Sequence, residues 1–306
     1  MRLNDIKKNM HNETIGLMEY IQTMHLYYGV LFDYADYIRQ TDIEKIVIAK
    51  GDVVFTFRGG IRMFANPIDY RQAPMEALCF SGDSYNFSAY EKGEFNILSS
   101  FLKDEMTMLD IGANIGWFSL QLANRFPNAD ILSFEPLPTA YELLVRNVLL
   151  NKFDNVRTYN SGFMDKAGVI PFYVFSGQGT NASTVNLMEV EEGTKQINCQ
   201  VYKLDEFIRK PVDFIKCDVE GAEMSVFKGA EEILRRDKPI IYTEVCKDWA
   251  EKFDWDLNDL AKYLHDLGYT GFVVRNGKLM DITRLNAVEE TNFIFLNRER
   301  TKHESI

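Results

Sequence analysis

Two glycines and two acids have the residue types and spacing of a nucleoside-binding site. Asp110 stands two residues before Gly112, Gly116 follows, and Glu135 comes 23 residues after Gly112 (135 − 112). Glycine lets a ligand approach the backbone closely, and an acid at the end of the next strand accepts hydrogen bonds from ribose hydroxyls. These four residues therefore predict a pocket for an adenosine-containing ligand.

The glycine pattern departs from the dinucleotide fingerprint G-x-G-x-x-G, because Asn114 and Trp117 occupy its third and sixth positions. A strand that ends at Gly112 and a helix that begins near Trp117 are expected to leave free backbone N–H groups in the loop between them. The loop suits a nucleotide-like ligand but lacks the pyrophosphate cradle. An NAD-type oxidoreductase is the competing interpretation, and a plain glycine turn is the simplest one.

A second set of acids follows two later predicted strands. Asp218, Glu220 and Glu223 come after one of them and Glu244 closes the next, so both groups reach the crevice at the carboxyl edge of a parallel sheet. Asp218 and Glu244 are predicted either to hold Mg²⁺ or to supply a base of raised pKa. Lys216 is a further catalytic candidate, or a strand lysine paired with a carboxylate. Glu220 either contacts substrate or, like Glu223, favours the dipole of the following helix.

Two polar loops provide candidate substrate contacts. The first, around residues 81–91, contributes Tyr85, Tyr90 and Glu91, and the second, around residues 176–181, contributes Asn181. Their hydrogen-bonding groups suit a polyol. Both loops are equally compatible with plain connections.

Strand and helix patterns alternate from residue 106 onward, which predicts a parallel sheet covered on both faces. Predicted strands cover 108–111, 131–134, 156–159, 212–217, 239–245, 272–274 and 292–296, and predicted helices cover 117–125, 139–150, 222–235 and 257–267. Asn276-Gly277 predicts a turn in an antiparallel hairpin at the end of that sheet.

The first hundred residues have a different pattern. Apolar residues at helical spacing in 13–39 predict one or two helices, and short β-type runs at 46–49, 53–57 and 61–64 predict a small antiparallel meander. A further helix is expected at 95–102. We therefore divide the chain into an N-terminal cap or dimerisation element, 1–95, and the domain that carries the chemistry, 96–306. Exposed apolar residues on the N-terminal helices suggest a homodimer, or else they pack on their own core.

Composition limits the class of protein. The 306 residues are 46% hydrophobic and 26% charged, which is ordinary for a globular protein, and the net charge of −11 disfavours a nucleic-acid partner. No apolar run approaches the length of a membrane span, and the polar N-terminus does not resemble a signal peptide. None of the four cysteines forms a C-x-x-C pair, so reduced thiols and a cytoplasmic location are expected. These are Cys79, Cys199, Cys217 and Cys246.

Three segments together carry a resemblance to a known family. They are LDIGANIGWFSL, FEPLPTAYELLVRNVLLN, and LDEFI followed by VDFIKCDVEGAEMSVFKGA. In this order they resemble the FkbM-type S-adenosylmethionine-dependent methyltransferases, over roughly residues 85–245, and D-V-E-G-A-E is the most specific piece. The resemblance implies the α/β, Rossmann-like class I methyltransferase sheet, with seven strands of which the last is antiparallel. The helices and meander would be an N-terminal extension to it.

Site roles also follow from the resemblance, position by position. The amino-acid end of the cofactor would lie against Asp110, Gly112, Ala113, Asn114 and Gly116. Asp218 would also bind the cofactor. Glu135 would bind the ribose hydroxyls, with Pro136 beside it. Gly162 and Phe163 would line the adenine.

The resulting hypothesis is an S-adenosylmethionine-dependent O-methyltransferase. Its acceptor would be a hydroxyl of a sugar in a glycan, a capsule polysaccharide or a glycosylated natural product. A non-sugar acceptor and an NAD-type oxidoreductase are the alternatives. A catalytically silent scaffold is disfavoured by the intact acid and glycine set, and an RNA methyltransferase by the charge of −11.

Overall fold

The N-terminal region consists of two helices and a three-stranded meander. The computed structural model describes residues 3–65, 92–175, 182–184 and 194–301. The chain begins with α1 (Leu3–His11), α2 (Leu17–Tyr37) and a 3₁₀ turn (Ile38–Gln40), followed by the antiparallel strands β1 (Ile43–Ala49), β2 (Asp52–Phe57) and β3 (Arg62–Phe64). The predicted helix in 13–39 and the predicted meander are both confirmed, and α1 is a helix that the polar sequence did not suggest.

The rest of the chain supplies a large sheet and the helices that cover it. Its elements up to the middle of the sheet are α3 (Lys92–Phe101), β4 (Thr107–Ile111), α4 (Trp117–Arg125), β5 (Asp130–Phe134), α5 (Pro138–Asn151), β6 (Val156–Tyr159), β7 (Gly162–Phe163), β8 (Gly168–Phe175), β9 (Ala182–Ser183), β10 (Thr194–Tyr202) and α6 (Leu204–Phe207). The remaining elements are β11 (Phe214–Cys217), α7 (Glu223–Lys228), α8 (Glu231–Asp237), β12 (Ile240–Glu244), α9 (Lys247–Lys252), α10 (Leu257–Asp266), β13 (Tyr269–Arg275), β14 (Lys278–Ile282), a 3₁₀ turn (Leu285–Ala287), β15 (Asn292–Asn297) and α11 (Arg298–Thr301).

The central sheet has the strand order β14-β13-β15-β12-β11-β4-β5-β6. The strands from β12 to β6 are parallel, whereas β15 is antiparallel to both of its neighbours. The predicted α/β class I sheet with an antiparallel last strand is confirmed. It has eight strands and not seven, because the predicted hairpin at Asn276-Gly277 adds β14 to the edge beside β13.

Two buried clusters lie on opposite faces of this sheet. Alternating residues of β4 show the division, since Met108 belongs to one cluster and Leu109 to the other. The meander packs onto the first cluster, with the Phe57 and Trp117 rings 4.8 Å apart. Asn151 and Asn147 of α5 accept hydrogen bonds from the backbone of β3 and tie it to the sheet's helical layer. Among the described residues, no helix is both long and apolar enough to cross a membrane.

A small second sheet, with strand order β7-β10-β8-β9, is inserted between β6 and β11. The sequence pattern did not predict this sheet. The strands β8 and β10 pair antiparallel along their length, and β7 pairs parallel to the end of β10 at Val201 and Tyr202. Because β7 follows β6 directly, this sheet is attached at the carboxyl edge of the central sheet.

The helix predicted at 222–235 is interrupted. Gly229 ends α7 because its backbone packs against the loop after β7, where a Cβ on Gly229 would lie 2.2 Å from the Met164 carbonyl oxygen. The Asp205 carboxylate then accepts hydrogen bonds from the N–H groups of Glu232 and Ile233 in the first turn of α8. The helix is therefore divided at a glycine that a contact with a distant segment requires.

Candidate active site

The glycines after β4 allow two loops to touch. Gly112 has a φ of +77°, and a Cβ there would lie 1.8 Å from the carbonyl oxygen of Asp218. Gly116 has a φ of +94°, and its Cβ would lie 2.6 Å from Leu144 in α5. Both positions therefore require glycine, because a side chain would clash with its neighbours and would disfavour the left-handed backbone.

Most backbone N–H groups of this loop already donate hydrogen bonds to other protein atoms. Those of Gly112 and Ala113 donate to the Phe134 carbonyl oxygen, and that of Gly116 donates to the Ala113 carbonyl oxygen. The Asn114 N–H donates to the Glu135 carboxylate at 2.9 Å. The expectation of free N–H groups was therefore wrong for these four positions, which leaves little of an anion cradle.

Glu135 follows β5 and is held on two sides. Its two carboxylate oxygens accept hydrogen bonds from the N–H groups of Asn114 and Leu137, each at 2.9 Å. The side chain borders a cavity although the residue is only 5% exposed, and this burial raises its pKa to about 7, against the effect of the two N–H groups and of Lys216. Glu135 therefore presents a fixed hydrogen-bond acceptor to whatever enters the cavity.

Lys216 and Asp110 lie beneath the two loops. The Lys216 ammonium donates to the Gly112 carbonyl oxygen at 3.0 Å and to the Asp218 carboxylate at 3.1 Å, and it lies 3.6 Å from the Asp110 carboxylate. Asp110 is fully buried and also accepts a hydrogen bond from Ser119. Neither Lys216 nor Asp110 borders the cavity, so the contacts they make position the loops. Their predicted direct roles stay predictions.

The D-V-E-G-A-E segment separates into residues that build the loop and residues that face the cavity. Glu223 builds it, because one carboxylate oxygen accepts hydrogen bonds from the N–H groups of Val219 and Gly221, at 3.2 and 3.1 Å. Burial raises the pKa of Glu223 to about 7. Its position at the start of α7 thus serves loop closure in addition to the helix dipole.

Gly221 fixes the outer side of the same loop. Its φ is +102°, a Cβ would lie 2.7 Å from the Phe253 ring, and its carbonyl oxygen accepts a hydrogen bond from the Trp255 indole at 3.0 Å. The neighbouring Glu220 has a φ of +56°, a left-handed conformation that is uncommon for a non-glycine residue. Ser183 of the small sheet donates to the Glu220 carbonyl oxygen at 2.9 Å. Packing from both sides therefore holds Glu220 at the cavity.

The acids that face the cavity interact electrostatically. Burial raises the pKa of Glu220 well above its ordinary value, and the negative charges of Asp218, Glu244 and Glu223 raise it further. The Asp218 side chain is 28% exposed and is paired with Lys216. Among the described residues, no group of three or more His, Cys, Asp or Glu side chains is arranged to hold a metal ion. A two-carboxylate Mg²⁺ site at Asp218 and Glu244 stays a prediction.

The cavity is about 650 Å³ including its open mouth. Its walls come from the glycine loop, the end of β5, the D-V-E-G-A-E loop and the small sheet. The described lining residues are Ile111, Gly112, Asn114, Glu135, Pro136, Leu137, Gly162, Phe163, Met164, Phe172, Thr184, Asp218, Val219, Glu220 and Ala222.

Most of the predicted cofactor residues meet at this cavity. Gly162 and Phe163 lie on its wall, where Phe163 also packs edge-on against Phe134 with ring centroids 4.8 Å apart. Sequence analysis missed the contribution of Met164, Phe172 and Thr184. Apolar residues in 168–175 could have indicated a strand, but nothing local indicates that the strand covers the cavity. The predicted substrate residues Tyr85, Tyr90, Glu91 and Asn181 lie outside the described residues.

The charge of the lining is one-sided. Glu135, Asp218 and Glu220 contribute carboxyl groups, and none of the described lining residues is lysine or arginine. Asp218 is paired with Lys216, and burial raises the pKa values of Glu135 and Glu220. The described lining therefore offers hydrogen-bonding carboxyl groups but no basic side chain to neutralise an anionic pyrophosphate.

Comparison with known families agrees with this geometry. The family model of the methyltransferase FkbM domain matches residues 110–270, which is more than half of the chain and includes the whole glycine loop and the D-V-E-G-A-E loop. The chain belongs to this FkbM family.

Several relatives of this FkbM chain are methyltransferases by name. Methyltransferase sdnD of Sordaria araneosa is 32% identical over 156 residues, covering 41% of this chain and 60% of that protein. The 2-O-methyltransferase NoeI of Sinorhizobium fredii is 28% identical over 165 residues, covering 48% of this chain and 66% of that protein. The chain spans about 60% of the length of the first curated relatives that it matches. A crystal structure of methyltransferase FkbM from Methylobacillus flagellatus superposes with a TM-score of 0.43 at 18% identity, covering 63% of this chain and 44% of that one.

Proposed function

We propose that the protein is an S-adenosylmethionine-dependent O-methyltransferase that acts on a sugar hydroxyl of a glycan, capsule polysaccharide or glycosylated natural product. The observation that carries the proposal is the cavity lined by carboxyl groups and, among the described residues, by no lysine or arginine. The cofactor carries a sulfonium, an ammonium and a carboxylate group, so it is net cationic and needs no basic partner in these walls. The pyrophosphate of NAD is anionic and finds no basic side chain among the described lining residues, which favours the cofactor over NAD as the ligand beside Glu135.

The residues present fit the cofactor at its ribose. Glu135 is fixed by two backbone N–H groups, and each carboxylate oxygen has lone-pair capacity left for a ribose hydroxyl. Gly112 brings the glycine loop against Asp218, so that the loop and the D-V-E-G-A-E segment form one continuous wall. Phe163 and Phe172 provide apolar surface for the base. When bound, the cofactor supplies an electrophilic methyl group.

The acids near Glu220 fit proton acceptance from an alcohol. An alcohol becomes a good nucleophile only as its proton leaves, and a base is most useful when its pKa lies near the working pH. Burial and neighbouring charges move the pKa of Glu220 upward, and Lys216 lies beside Asp218. We therefore assign the base to the group formed by Asp218, Glu220 and Glu244, with Lys216 positioning Asp218.

A hydroxyl acceptor is supported by the name of one relative and by the chemistry of the walls. NoeI is a 2-O-methyltransferase. Carboxylates accept hydrogen bonds from the several hydroxyls of a sugar, which a less polar acceptor would not provide. A non-sugar alcohol is the alternative, and a screen of both acceptor classes with and without EDTA also tests the predicted Mg²⁺.

Calorimetric titration with S-adenosylhomocysteine and with NADH tests the cofactor assignment. We expect micromolar binding of the thioether, no binding of NADH, and a loss of at least about tenfold in the Glu135→Gln variant, since one charge-assisted hydrogen bond contributes about 1.5–3 kcal/mol. Glu142→Gln is the matched control, because Glu142 is exposed on the neighbouring helix α5. Thermal unfolding shows whether both variants are folded. Tighter binding of NADH than of the thioether would overturn the proposal.

A further inference from the structure

The helix α2 is apolar on its surface. All 21 of its residues are described, and none of them is buried. Its large exposed side chains are Leu17, Met18, Ile21, Leu26, Tyr28, Val30, Leu31, Phe32, Tyr34 and Tyr37. A helix that is hydrophobic around its circumference is normally buried, but among the described residues this one packs mainly against α1 and leaves most of its surface uncovered.

One stripe on this helix has the spacing of a coiled coil. Seven apolar residues follow one another at intervals of four, three, four, three, four and three residues, which is the heptad repeat that keeps one seam facing a partner helix. These seam residues are Leu17, Ile21, Met24, Tyr28, Leu31, Ala35 and Ile38.

The end of the seam opens into a groove. Leu31, Ala35 and Ile38 form one wall of it, together with Tyr34. The opposite wall comes from the meander, including Ile46 and Val53, and from Leu143 of α5. The groove therefore extends the apolar surface of the seam onto the meander and α5. Because it lies at the C-terminal end of the seam, the two ends of the seam differ.

We propose that the seam pairs with the seam of a second copy of this chain, antiparallel and around a two-fold axis. Leu17 of one copy then lies opposite Ile38 of the other, Met24 lies opposite Leu31, and Tyr28 lies close to the axis. The N-terminal end of each seam fills the groove at the C-terminal end of its partner. Because the same surface serves both copies, the interface closes as a dimer.

Charge favours a second copy over a lipid surface. Residues 17–37 contain Glu19, Asp33 and Asp36 but no lysine or arginine, whereas helices that lie on membranes are rich in basic residues. The antiparallel arrangement also complements the ends of the helix pair. Lys7 and Lys8 are on α1, which packs against α2. In the proposed pair, the end of α2 that carries Asp33 and Asp36 lies toward the α1 helix of the other copy.

The seam alone presents about half of the area of a standard interface. Of the ten large exposed side chains on α2, four lie on the seam, and they are 46% to 59% exposed. These are Leu17, Ile21, Tyr28 and Leu31. At roughly 200 Å² for a large side chain, they present on the order of 400 Å² per copy. A standard protein interface buries about 800 Å² per partner, so contacts in the groove must supply the rest.

Sedimentation equilibrium of the full chain tests the dimer. We expect the parent protein to be dimeric and Leu31→Glu to be monomeric, with a dissociation constant raised at least about 100-fold by a buried charge without a partner. Leu26→Glu is the matched control, because Leu26 is 71% exposed on the same helix but lies on the opposite side from the seam. Leu26→Glu should remain dimeric. A monomeric parent, or equal effects of the two variants, would overturn the proposal.

Disulfide cross-linking tests the orientation. Oxidation should link two copies of Tyr28→Cys, and a mixture of Leu17→Cys and Ile38→Cys should give the mixed dimer. Leu17→Cys alone should give no more disulfide-linked dimer than the parent chain does. A higher yield would mean that the helices are parallel and that the proposed arrangement is wrong. A monomeric parent that co-sediments with phosphatidylcholine vesicles would assign the surface to lipid instead.

Discussion

The carboxyl edge of the central sheet and the helix α2 are opposite cases of burial. At the sheet edge, charged residues are buried and fixed by many contacts, as with Glu223 and its two N–H partners. On α2, apolar residues are exposed, as with Leu26 and Phe32. Buried charge is costly unless it is hydrogen-bonded, and exposed apolar surface is costly unless it is covered. Among the described residues, hydrogen bonds hold the buried carboxyl groups of the first region, whereas most of the apolar surface of the second stays uncovered.

This contrast separates two kinds of function. The cavity depends on loops that reach their geometry through packing against each other, so ligand binding should be sensitive to small changes far from the ligand. The stability of the fold should be insensitive to changes on the side of α2 opposite the seam, because that helix contributes no buried residue. The following four measurements test the contrast, from the largest expected effect to the smallest.

The largest effect is expected from Gly112→Ala. A Cβ at Gly112 would lie 1.8 Å from the Asp218 carbonyl oxygen, so the two loops must separate, and we expect the free energy of unfolding to fall by more than about 3 kcal/mol with loss of thioether binding. Gly51→Ala is the control, because Gly51 also has a positive φ but no atom within 4 Å of its Cβ position. The free energy of unfolding of Gly51→Ala should fall by only about 1–2 kcal/mol, because alanine is strained in the left-handed conformation. Equal losses in urea denaturation would show that the contact between loops has no role.

Glu223→Ala should have the next largest effect. The substitution leaves the N–H groups of Val219 and Gly221 without their acceptor, at a cost of about 2–3 kcal/mol in the free energy of unfolding. Glu206→Ala, at an exposed position, should change it by less than about 0.5 kcal/mol. Urea denaturation of both variants measures the difference. A loss no greater than that of Glu206→Ala would contradict the role of Glu223 in the loop.

The pH dependence of stability should be smaller for each titrating group than the effects of the two substitutions above. Burial raises the pKa values of Glu135 and Glu223 to about 7 in the folded protein, above the ordinary value that they have when unfolded. Their stabilising contribution is therefore fully present below about pH 4 and is lost as the pH rises through 7. We expect the free energy of unfolding to fall between pH 5 and pH 8, by on the order of 2 kcal/mol for each group. Glu223→Gln should remove its share of this slope, and an unchanged slope would show that Glu223 does not titrate there.

Leu26→Ala should have the smallest effect. Its side chain is 71% exposed, so we expect the free energy of unfolding to change by less than about 0.5 kcal/mol. Leu122→Ala in the buried face of α4 should cost about 2–5 kcal/mol. Urea denaturation of the two variants side by side compares their losses in the free energy of unfolding. A large loss from Leu26→Ala would mean that α2 is covered at that position after all.

Particular elements show why some predictions from sequence succeed. The helix at 117–125 and the strand at 156–159 have the predicted bounds, because their apolar spacing and flanking residues are local signals. The acid and glycine pattern at Asp110, Gly112 and Glu135 likewise indicated a cavity that the structure contains. In contrast, the helix at 222–235 is divided by the contact between Gly229 and Met164, which are 65 residues apart (229 − 164). No local pattern reports such a contact.

By itself, the sequence determined the alternation of strands and helices, the family, and the acids that collect at one edge of the sheet. Each of these depends on periodicity or on short motifs, which are properties of neighbouring residues. The tertiary structure alone decided which of those acids face the cavity. Asp110 and Glu223 are turned inward to hold loops, whereas Glu135 and Glu220 border the cavity. The physical reason is that burial and hydrogen-bond partners come from segments far apart in the chain, and those partners determine both the direction and the pKa of a carboxyl group.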